Sequence, residues 1–405
     1  MRRKEKGAAP ELDRKRREDY YDFSLLAVII LLTGFGLVML YSTTSYTASL
    51  KYGNDMYFFS RQAKYSLIAI VLAVLLSRVN YRILWYLSRV IYILALVLMA
   101  LVQSPLGRAY NGARRWLAFG PVRFQPAEVA KIAVIVYLPV MIVRMGRNLR
   151  GWRPMAKLLA AGAIQAAAAR IFTQNLSTAL IIMLIALTII FVAWPKTKGF
   201  LIAAAVTAGL AAAFVLIIAG AGSSGGNFRF MRIRVWLHPE QHTESGGYQV
   251  MQALYALGSG GIFGKGLGNG TQKLGAVPEA ENDMIFSIIC EELGIFGGII
   301  VISLFLYLIY RLFFIAQNAP DRFSGLMVTG IFAHISLQVI LNLCVNLNVI
   351  PTTGVTLPFV SYGGTSVCLL MAEMAVALSV SRAIHFRRPD RDIWGEVVRG
   401  SYTGS

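Results

Sequence analysis

The chain has 405 residues, of which 56% are hydrophobic and 15% are charged, and its mean hydropathy is +0.60. A soluble domain is nearer a quarter charged and could not bury this much apolar surface, so the composition excludes an ordinary soluble protein. The net charge of +19 allows nucleic acid as a partner. The apolar content instead favours positive loops on one membrane face and contacts to an anionic ligand.

The predicted elements begin with a polar, basic stretch at residues 1–21, which lacks a signal-peptide core and is predicted to be a cytoplasmic tail. Ten apolar runs follow, each close to the length of about 20 residues that a helix needs to span a bilayer. They are residues 22–44, 58–78, 84–104, 125–144, 157–173, 177–195, 200–220, 284–310, 323–346 and 361–385. The sequence therefore predicts an all-α integral membrane protein with about ten transmembrane helices in one domain, residues 22–385, and a second cytoplasmic tail at 386–405.

The distribution of charge orients this predicted bundle. Most of the 39 Lys and Arg residues fall in the two tails and in the loops that an N-inside topology leaves in the cytoplasm, so both termini are predicted to be cytoplasmic. The outer face then carries a basic loop at 105–124 and a large extracellular loop, residues 221–283, between helices 7 and 8.

The first polar cluster includes the basic outer loop. Arg114 and Arg115, beside Trp116, lie outside against the charge trend, which favours contact with an anion over a simple interfacial position. Glu128 and Lys131 share one face of the next helix inside the apolar zone. Such a pair either lines a polar cavity or fixes the register of the helix.

Two further segments of the large outer loop carry cations. Aromatic and basic residues alternate over 228–236, around Arg229, which predicts either lipid anchoring or contact with an anionic head group. The glycine-rich run 258–270 surrounds Lys265 and is followed by Lys273. It lacks the spacing of known nucleotide-binding loops, but its backbone N–H groups can approach an anion. The alternative is a re-entrant turn.

Three carboxylates, Glu279, Glu281 and Asp283, end this loop. Asp283 lies where the eighth helix enters the membrane, so it either caps that helix or, when partly buried, serves as a base for proton abstraction. The Pro- and Gly-rich segment 348–366 contains Ser361 and Tyr362, and such irregular backbone survives at membrane depth only inside protein or beside a cavity. A polar stripe on the ninth helix predicts interhelical hydrogen bonds; its members are His334, Gln338, Asn342 and Asn346.

Taken together, these motifs resemble the SEDS family (shape, elongation, division, sporulation) of bacterial peptidoglycan polymerases, in the FtsW/SpoVE/RodA group, and most closely its FtsW/SpoVE branch. The similarity extends over roughly residues 22–385. The matching runs are 114–117, 124–131, 247–249, 278–286, 291–294 and 351–366.

The resemblance implies a glycosyltransferase of the plasma membrane that polymerises lipid II into β-1,4 glycan on the outer face, with inversion, for division or sporulation. It implies Asp283 as the catalytic base. Candidate substrate contacts are Arg114, Arg115, Trp116, Glu128, Lys131, Arg229, Lys265, Lys273, Glu279, Ser361 and Tyr362. The expected partners are lipid II, undecaprenyl-pyrophosphate-linked glycan, a class B penicillin-binding protein and divisome or sporulation proteins, with no nucleic acid. A divalent cation, Mg²⁺ or Mn²⁺, is the one candidate cofactor, and the sequence does not identify its ligands.

One departure and two alternatives accompany this interpretation. Many relatives carry Pro-Asp-Leu-Gly-Thr where this chain has Asn175 in place of the Asp, so no charged role is assigned there.

One alternative is a flippase that moves lipid II across the bilayer, with the polar stripe and deep carboxylates as its pathway. The other is a noncatalytic scaffold for a transpeptidase.

Overall fold

The computed structural model describes residues 21–110, 113–119, 122–149, 151–194, 228–242, 246–275 and 277–385. The helices in these ranges are α1 (Phe23–Tyr52), α2 (Tyr57–Leu76), α3 (Ile83–Leu101), α4 (Pro126–Met145), α5 (Trp152–Phe172), α6 (Leu176–Ala193), α7 (Phe228–Leu237), α8 (Gly247–Ser259), α9 (Ile285–Gln317), α10 (Arg322–Asn346) and α11 (Gly364–Arg382). The strands are β1 (Gly107–Tyr110), β2 (Ala113–Phe119) and β3 (Val122–Phe124). Two 3₁₀ turns occupy Gly146–Asn148 and Pro239–Gln241.

Nine of the described helices are long and apolar enough to cross a membrane, all except α7 and α8. They confirm a helical, multi-pass membrane protein and match nine of the predicted runs. The predicted seventh span, residues 200–220, lies outside the described residues, as do residues 1–20 and 386–405 of the two tails.

Several of the described helix ends lie together at one end of the bundle, called here the Asp22 end. Asp22 caps α1 and forms an ion pair with Arg311 of α9 at 2.7 Å. Its backbone N–H donates to Ser381 near the end of α11 at 3.3 Å. Arg322 at the start of α10 donates to the carbonyl of Ala193, which ends α6, at 3.0 Å. Helix ends from the predicted cytoplasmic side therefore cluster together and are fixed by charge-assisted contacts.

Polar residues inside the two least apolar predicted spans have partners in neighbouring elements. Gln165 of α5 is fully buried and donates to the carbonyl of Tyr92 in α3 at 2.8 Å. Gln62 of α2 is also buried and accepts from the backbone N–H of Gly363 at 3.4 Å. Because polar groups in hydrocarbon need such partners, the two helices are stable there despite their composition.

The three strands form an antiparallel sheet in the order β1-β2-β3, where the sequence predicts a loop. The pairing of β1 with β2 skips Arg115, and such a bulge interrupts the alternation of side chains between the two faces. Leu117 of β2 is buried and pairs with Phe124 of β3, whereas Arg114 is exposed. Thr365 of α11 donates to the carbonyl of Arg123 at 2.9 Å, which fixes the sheet to the bundle.

Helix α9 kinks at Gly294, where the glycine-rich run docks against it. The backbone N–H groups of Lys265 and Gly266 donate to the carbonyls of Glu291 and Glu292 at 3.0 and 2.9 Å. Gly294 has a φ of +70°, and a Cβ there would lie 2.3 Å from the carbonyl oxygen of Ile262. Only glycine permits this backbone crossing. The second half of the large loop is therefore attached to the core of the bundle.

Candidate active site

Asp283 lies in the turn immediately before α9, at the end of the bundle opposite the Asp22 end. The next residue, Met284, is the N-cap residue of α9 and makes no side-chain cap bond. Asp283 therefore does not cap α9. Its Oδ1 is buried and has no hydrogen-bond partner among the residues that the structure describes. Its Oδ2 faces the irregular segment at Gly354, where a Cβ would lie 4.0 Å away.

Two amide side chains of α10 fix the backbone of this turn. Asn342 and Asn346 both donate to the carbonyl of Asp283, at 2.9 and 2.8 Å. Asn342 also donates to the carbonyl of Val355 at 2.8 Å. The polar stripe of α10 therefore joins the turn to the irregular segment, and both are positioned by a membrane-spanning helix.

The irregular segment contacts the same turn from the other side. Ser361 is buried, and its Oγ donates to the carbonyl of Asn282 at 2.6 Å while accepting from the backbone N–H of Leu357 at 2.8 Å. The backbone N–H of Tyr362 donates to the carbonyl of Glu281 at 2.8 Å. Asp283 therefore lies in a turn whose carbonyls are held on both sides, which limits its freedom before a substrate binds.

Burial raises the pKa of Asp283 to about 7, and the neighbouring Glu279 and Glu281 carboxylates add to the rise. The guanidinium of Arg232 acts in the opposite direction and lowers it. Burial likewise raises the pKa of Glu281. A carboxylate with a pKa near neutrality can accept a proton at physiological pH and release it again, as a general base must.

Arg232 of α7 and Arg115 of β2 lie close enough for their charges to interact, and Arg232 acts on Asp283 as well. Arg232 of α7 donates to the carbonyl of Thr352 at 3.2 Å, two residues before Gly354. Arg115 of β2 is half-buried at the bulge of this strand, and its Nε is buried without a hydrogen-bond partner among the described residues. Burial and the charge of Arg232 lower the pKa of Arg115. The site therefore combines a carboxylate of raised pKa, Asp283, with the guanidinium of Arg232.

Other cations predicted to bind substrate have carboxylate partners. Lys273 is buried and forms an ion pair with Glu292 at 2.7 Å, and both contact the hydroxyl of Ser42 in α1. Lys265 pairs with Glu291 at 2.7 Å. These pairs supply the partners that the deep carboxylates of α9 require, and they fix the glycine-rich run to α9.

The remaining predicted contacts lie around this end of the bundle. Lys131 is buried and pairs with Glu128 at 2.7 Å within the first turns of α4. Trp116 is half-buried in β2, and Tyr362 packs edge-on against Phe58 with ring centroids 5.3 Å apart. The side chain of Glu279 accepts from the amide of Asn282. The side chain of Arg229 lies outside the described residues. A role in substrate binding stays a prediction for all of them.

Within the described ranges, no group of three or more His, Cys, Asp and Glu side chains is arranged to hold a metal ion. The expected divalent cation and its ligands stay a prediction. At the position of the family departure, Asn175 caps α6 by accepting from the backbone N–H of Thr178 at 3.1 Å. An uncharged cap serves a helix start well, which gives this residue a local structural role.

Arg232, Thr353 and Ser42 also belong to this region, and no sequence pattern indicated them. Arg232 belongs to the cationic segment 228–236, and only the packing of α7 distinguishes it from its neighbours. Thr353 is one of several threonines in the irregular segment, yet its Oγ1 is buried and finds no hydrogen-bond partner in the described part of the chain. No spacing in the sequence separates these residues from the others, so three-dimensional placement was needed to find them.

Comparison with known proteins gives a single family. The sequence model of the FtsW, RodA and SpoVE family, described as "Cell cycle protein", matches residues 23–385. Stage V sporulation protein E of Bacillus subtilis is 33% identical and aligns with 89% of this chain and 97% of its own length. The probable peptidoglycan glycosyltransferase FtsW of Bacillus subtilis is 34% identical over 90% of this chain and 92% of its own length.

Solved structures agree in fold. A chain from the structure described as "Structural coordination of polymerization and crosslinking by a peptidoglycan synthase complex" is similar with a TM-score of 0.72 and 26% identity, over 90% of this chain and 98% of that one. The rod shape determining protein RodA of Thermus thermophilus is similar with a TM-score of 0.64 and 25% identity, over 91% and 98%. The chain therefore belongs to the FtsW, RodA and SpoVE family, and the resemblance drawn from its motifs is confirmed.

Proposed function

We propose that this chain is a peptidoglycan glycosyltransferase that polymerises lipid II on the outer face of the plasma membrane, with Asp283 as its general base. Family membership and the names of its relatives support the reaction class. The observation that carries the assignment to Asp283 is its partly buried carboxylate with a pKa of about 7, in a turn fixed by α10 and the irregular segment.

The geometry is suited to one inverting displacement. Lipid II presents an α-linked sugar on an undecaprenyl pyrophosphate, and the glycan product is β-1,4-linked. The acceptor 4-hydroxyl attacks the anomeric carbon, its proton passes to Asp283, and the bond to the pyrophosphate breaks. Inversion needs one base and stabilisation of the leaving group, with no covalent intermediate. A divalent cation would neutralise charge on that leaving group, but Glu128, Glu279 and Glu281 are not grouped among the described residues as metal ligands would be, so no step is assigned to it.

The orientation and partner follow from the same proposal. The charge distribution supports cytoplasmic termini, which puts the Asp22 end inside and the Asp283 turn outside. A class B penicillin-binding protein is the proposed partner, and the similarity to a chain of a peptidoglycan synthase complex supports it.

The test uses purified protein in nanodiscs with labelled lipid II, with and without the cognate transpeptidase, and measures glycan length on a gel. We expect long strands from the wild type and none from Asp283→Ala or Asp283→Asn. The matched control is Glu240→Gln, which removes an exposed carboxylate in the same large loop and should leave polymerisation unchanged. Full activity of correctly inserted Asp283→Ala protein would refute the assignment of the base.

The flippase alternative has one structural feature in its favour. His334 of α10 and Glu373 of α11 form a buried pair at 2.8 Å inside the spanning helices, and ionisable pairs at such depth often mark transport pathways. A flippase would move labelled lipid II between leaflets without making glycan, and Glu373→Gln would stop that movement. Glycan strands from the purified wild type would exclude a pure flippase or scaffold.

A further inference from the structure

A cavity of about 360 Å³ opens at the Asp22 end of the bundle, away from the Asp283 turn. It lies between the starts of α3 and α10 and the last turn of α4. Its lining combines charged and aromatic side chains and includes Arg82, Trp85, Tyr86, Asp321, Arg322 and Phe323. The volume is within the range of sites that hold small molecules or the polar part of a larger one.

The charge of this cavity is positive. Arg82 and Arg322 are exposed and contribute two guanidinium groups, against the one carboxylate of Asp321. The hydroxyl of Tyr81 and the Asp321 carboxylate raise the pKa of Arg82, so these groups lie close together. Both carboxylate oxygens already accept hydrogen bonds, Oδ2 from Tyr81 at 2.5 Å and Oδ1 from the backbone N–H of Ser324 at 2.9 Å. One carboxylate cannot neutralise two guanidinium groups, so the cavity retains a net positive charge.

The aromatic residues of the cavity pack together. Trp85 lies edge-on against Phe323 with ring centroids 5.3 Å apart, and Tyr81 stacks on Phe323 at 6.5 Å. The guanidinium of Arg144, in the last turn of α4, lies over the Trp85 ring at 5.5 Å and adds a further cation beside the cavity. Tryptophan and tyrosine are enriched where a membrane protein meets the lipid head groups, so the cavity lies at the depth of that layer.

An apolar strip on α3 leads from the cavity towards the middle of the bilayer. Its members lie on one face of the helix, three or four residues apart, and are 48–80% exposed: Tyr86, Val90, Ile93 and Val97. Among the spanning helices of the described ranges, α3 is the least buried. The strip is therefore open to lipid, and it begins at Tyr86, which also lines the cavity.

We propose that this cavity binds the phosphate head group of an anionic phospholipid, with an acyl chain along the α3 strip. The inference goes beyond the proposed function, because it concerns the opposite end of the bundle and does not depend on the reaction at Asp283. Charge selects the occupant: a phospholipid with a net negative head group, such as phosphatidylglycerol, complements the cavity, whereas zwitterionic phosphatidylcholine does not. The planar guanidinium groups can each donate two parallel hydrogen bonds to phosphate oxygens.

The two tails of the chain are less suited to this cavity. Residues 1–20 contain eight basic and five acidic side chains, and residues 386–405 contain four and three. Both tails are therefore net positive and would meet like charge at Arg82 and Arg322. A lipid-linked diphosphate shares the phosphate chemistry of a phospholipid, and the experiment separates the two.

The test measures lipid binding by the full-length protein, purified in a neutral detergent and depleted of lipid. Native mass spectrometry gives the dissociation constants of phosphatidylglycerol and phosphatidylcholine with identical acyl chains. We expect phosphatidylglycerol to bind the wild type at least about tenfold more tightly. Arg82→Ala should weaken its binding by about tenfold, the loss of one charge-assisted contact, and leave phosphatidylcholine unchanged. Arg82→Lys keeps the charge without the planar fork and should weaken it less.

A second variant and a control complete the design. Arg322→Ala should weaken phosphatidylglycerol binding similarly, but Arg322 also donates to the carbonyl of Ala193, so the exposed Arg82 gives the cleaner measurement. The matched control is Arg153→Ala at the start of α5. Arg153 lies over the Trp152 ring at 5.8 Å, an arginine–tryptophan pair like that of Arg144 but outside the cavity lining. This variant should change the affinity less than about twofold.

Three results would overturn the proposal. The first is equal affinity of the wild type for phosphatidylglycerol and phosphatidylcholine, and the second is unchanged phosphatidylglycerol binding by folded Arg82→Ala and Arg322→Ala protein. The third is displacement of phosphatidylglycerol by an equimolar amount of undecaprenyl pyrophosphate in an Arg82-dependent manner, which would identify a lipid-linked diphosphate as the occupant. Because the assay contains no lipid II, a failure of the proposed polymerase function would leave all of these measurements unchanged.

Discussion

The pH dependence of glycan polymerisation should report the ionisation of Asp283. Burial, with help from Glu279 and Glu281, raises the pKa of this carboxyl from an ordinary value of 3.8 to about 7. A base acts in its deprotonated form, so with a pKa of about 7 roughly a tenth of the enzyme is active at about pH 6 and roughly nine tenths at about pH 8. The rate at lipid II concentrations well below KM, which reports the free enzyme, should therefore rise about tenfold across this interval.

Initial rates of glycan synthesis at constant ionic strength measure this profile, and a charge variant tests its cause. Glu281→Gln removes a neighbouring negative charge and should move the acidic limb to lower pH. Arg232→Gln removes a positive charge and should move it to higher pH. A wild-type rate that stays flat between about pH 5 and about pH 8 would refute the argument, since an unperturbed aspartate is fully ionised throughout that range.

Three further outcomes concern stability and are measured by thermal unfolding in detergent. Because the folded-state pKa of Asp283 is raised, its stabilising contribution is complete below about pH 4 and is lost as the pH rises through about 7. Asp283→Asn should therefore stabilise the protein at about pH 8, by at most about 4 kcal/mol. The same variant should have little effect on stability at low pH. Equal melting shifts at both pH values would contradict this. Lys273→Met leaves buried Glu292 without its ion-pair partner and should lower the free energy of unfolding by about 3–5 kcal/mol. Lys265→Met at the more exposed pair should lower it less. The reverse order would show that burial does not set the loss of stability. Gly294→Ala places a methyl group 2.3 Å from the carbonyl oxygen of Ile262 and should strongly destabilise the kink. In the control Gly258→Ala the new methyl group meets no atom within 4 Å, so this variant should be neutral or mildly stabilising. Equal melting temperatures for the two variants would argue against the backbone crossing.

The membrane helices could be predicted because their signal is local and long. A run of about 20 apolar residues has few alternatives to a spanning helix, and even α2 and α5 formed where predicted. The sheet of β1, β2 and β3 was missed because its strands are short and basic and because a bulge at Arg115 interrupts the alternation that would mark a strand in the sequence. Short strands owe their stability to the elements they pack against, here α4 and α11.

The candidate site was predicted only in part, and there is a physical reason why its carboxylate was found and the roles of its cations were not. Asp283 is distinguished in the sequence because a carboxylate at the start of an apolar run is unusual. The role of a cation depends instead on its partner, which lies far away in the chain. Lys273 is fixed by Glu292 and Ser42, which is 231 residues away, and nothing near Lys273 in the sequence indicates this.

Lysine and arginine serve different ends in this region. Each buried lysine near the site, Lys131 and Lys273, forms an ion pair with one glutamate, a contact suited to a compact point charge. These ion pairs hold the large loop and the start of α4 in a rigid frame. Arg232 comes from α7 and contacts the irregular segment at Thr352, and its charge lowers the pKa of Asp283. The same charge lowers the pKa of Arg115 in β2. A frame with unpaired glutamates would attract Arg232 itself, so the ion pairs of α9 support the role proposed for Asp283 as the base.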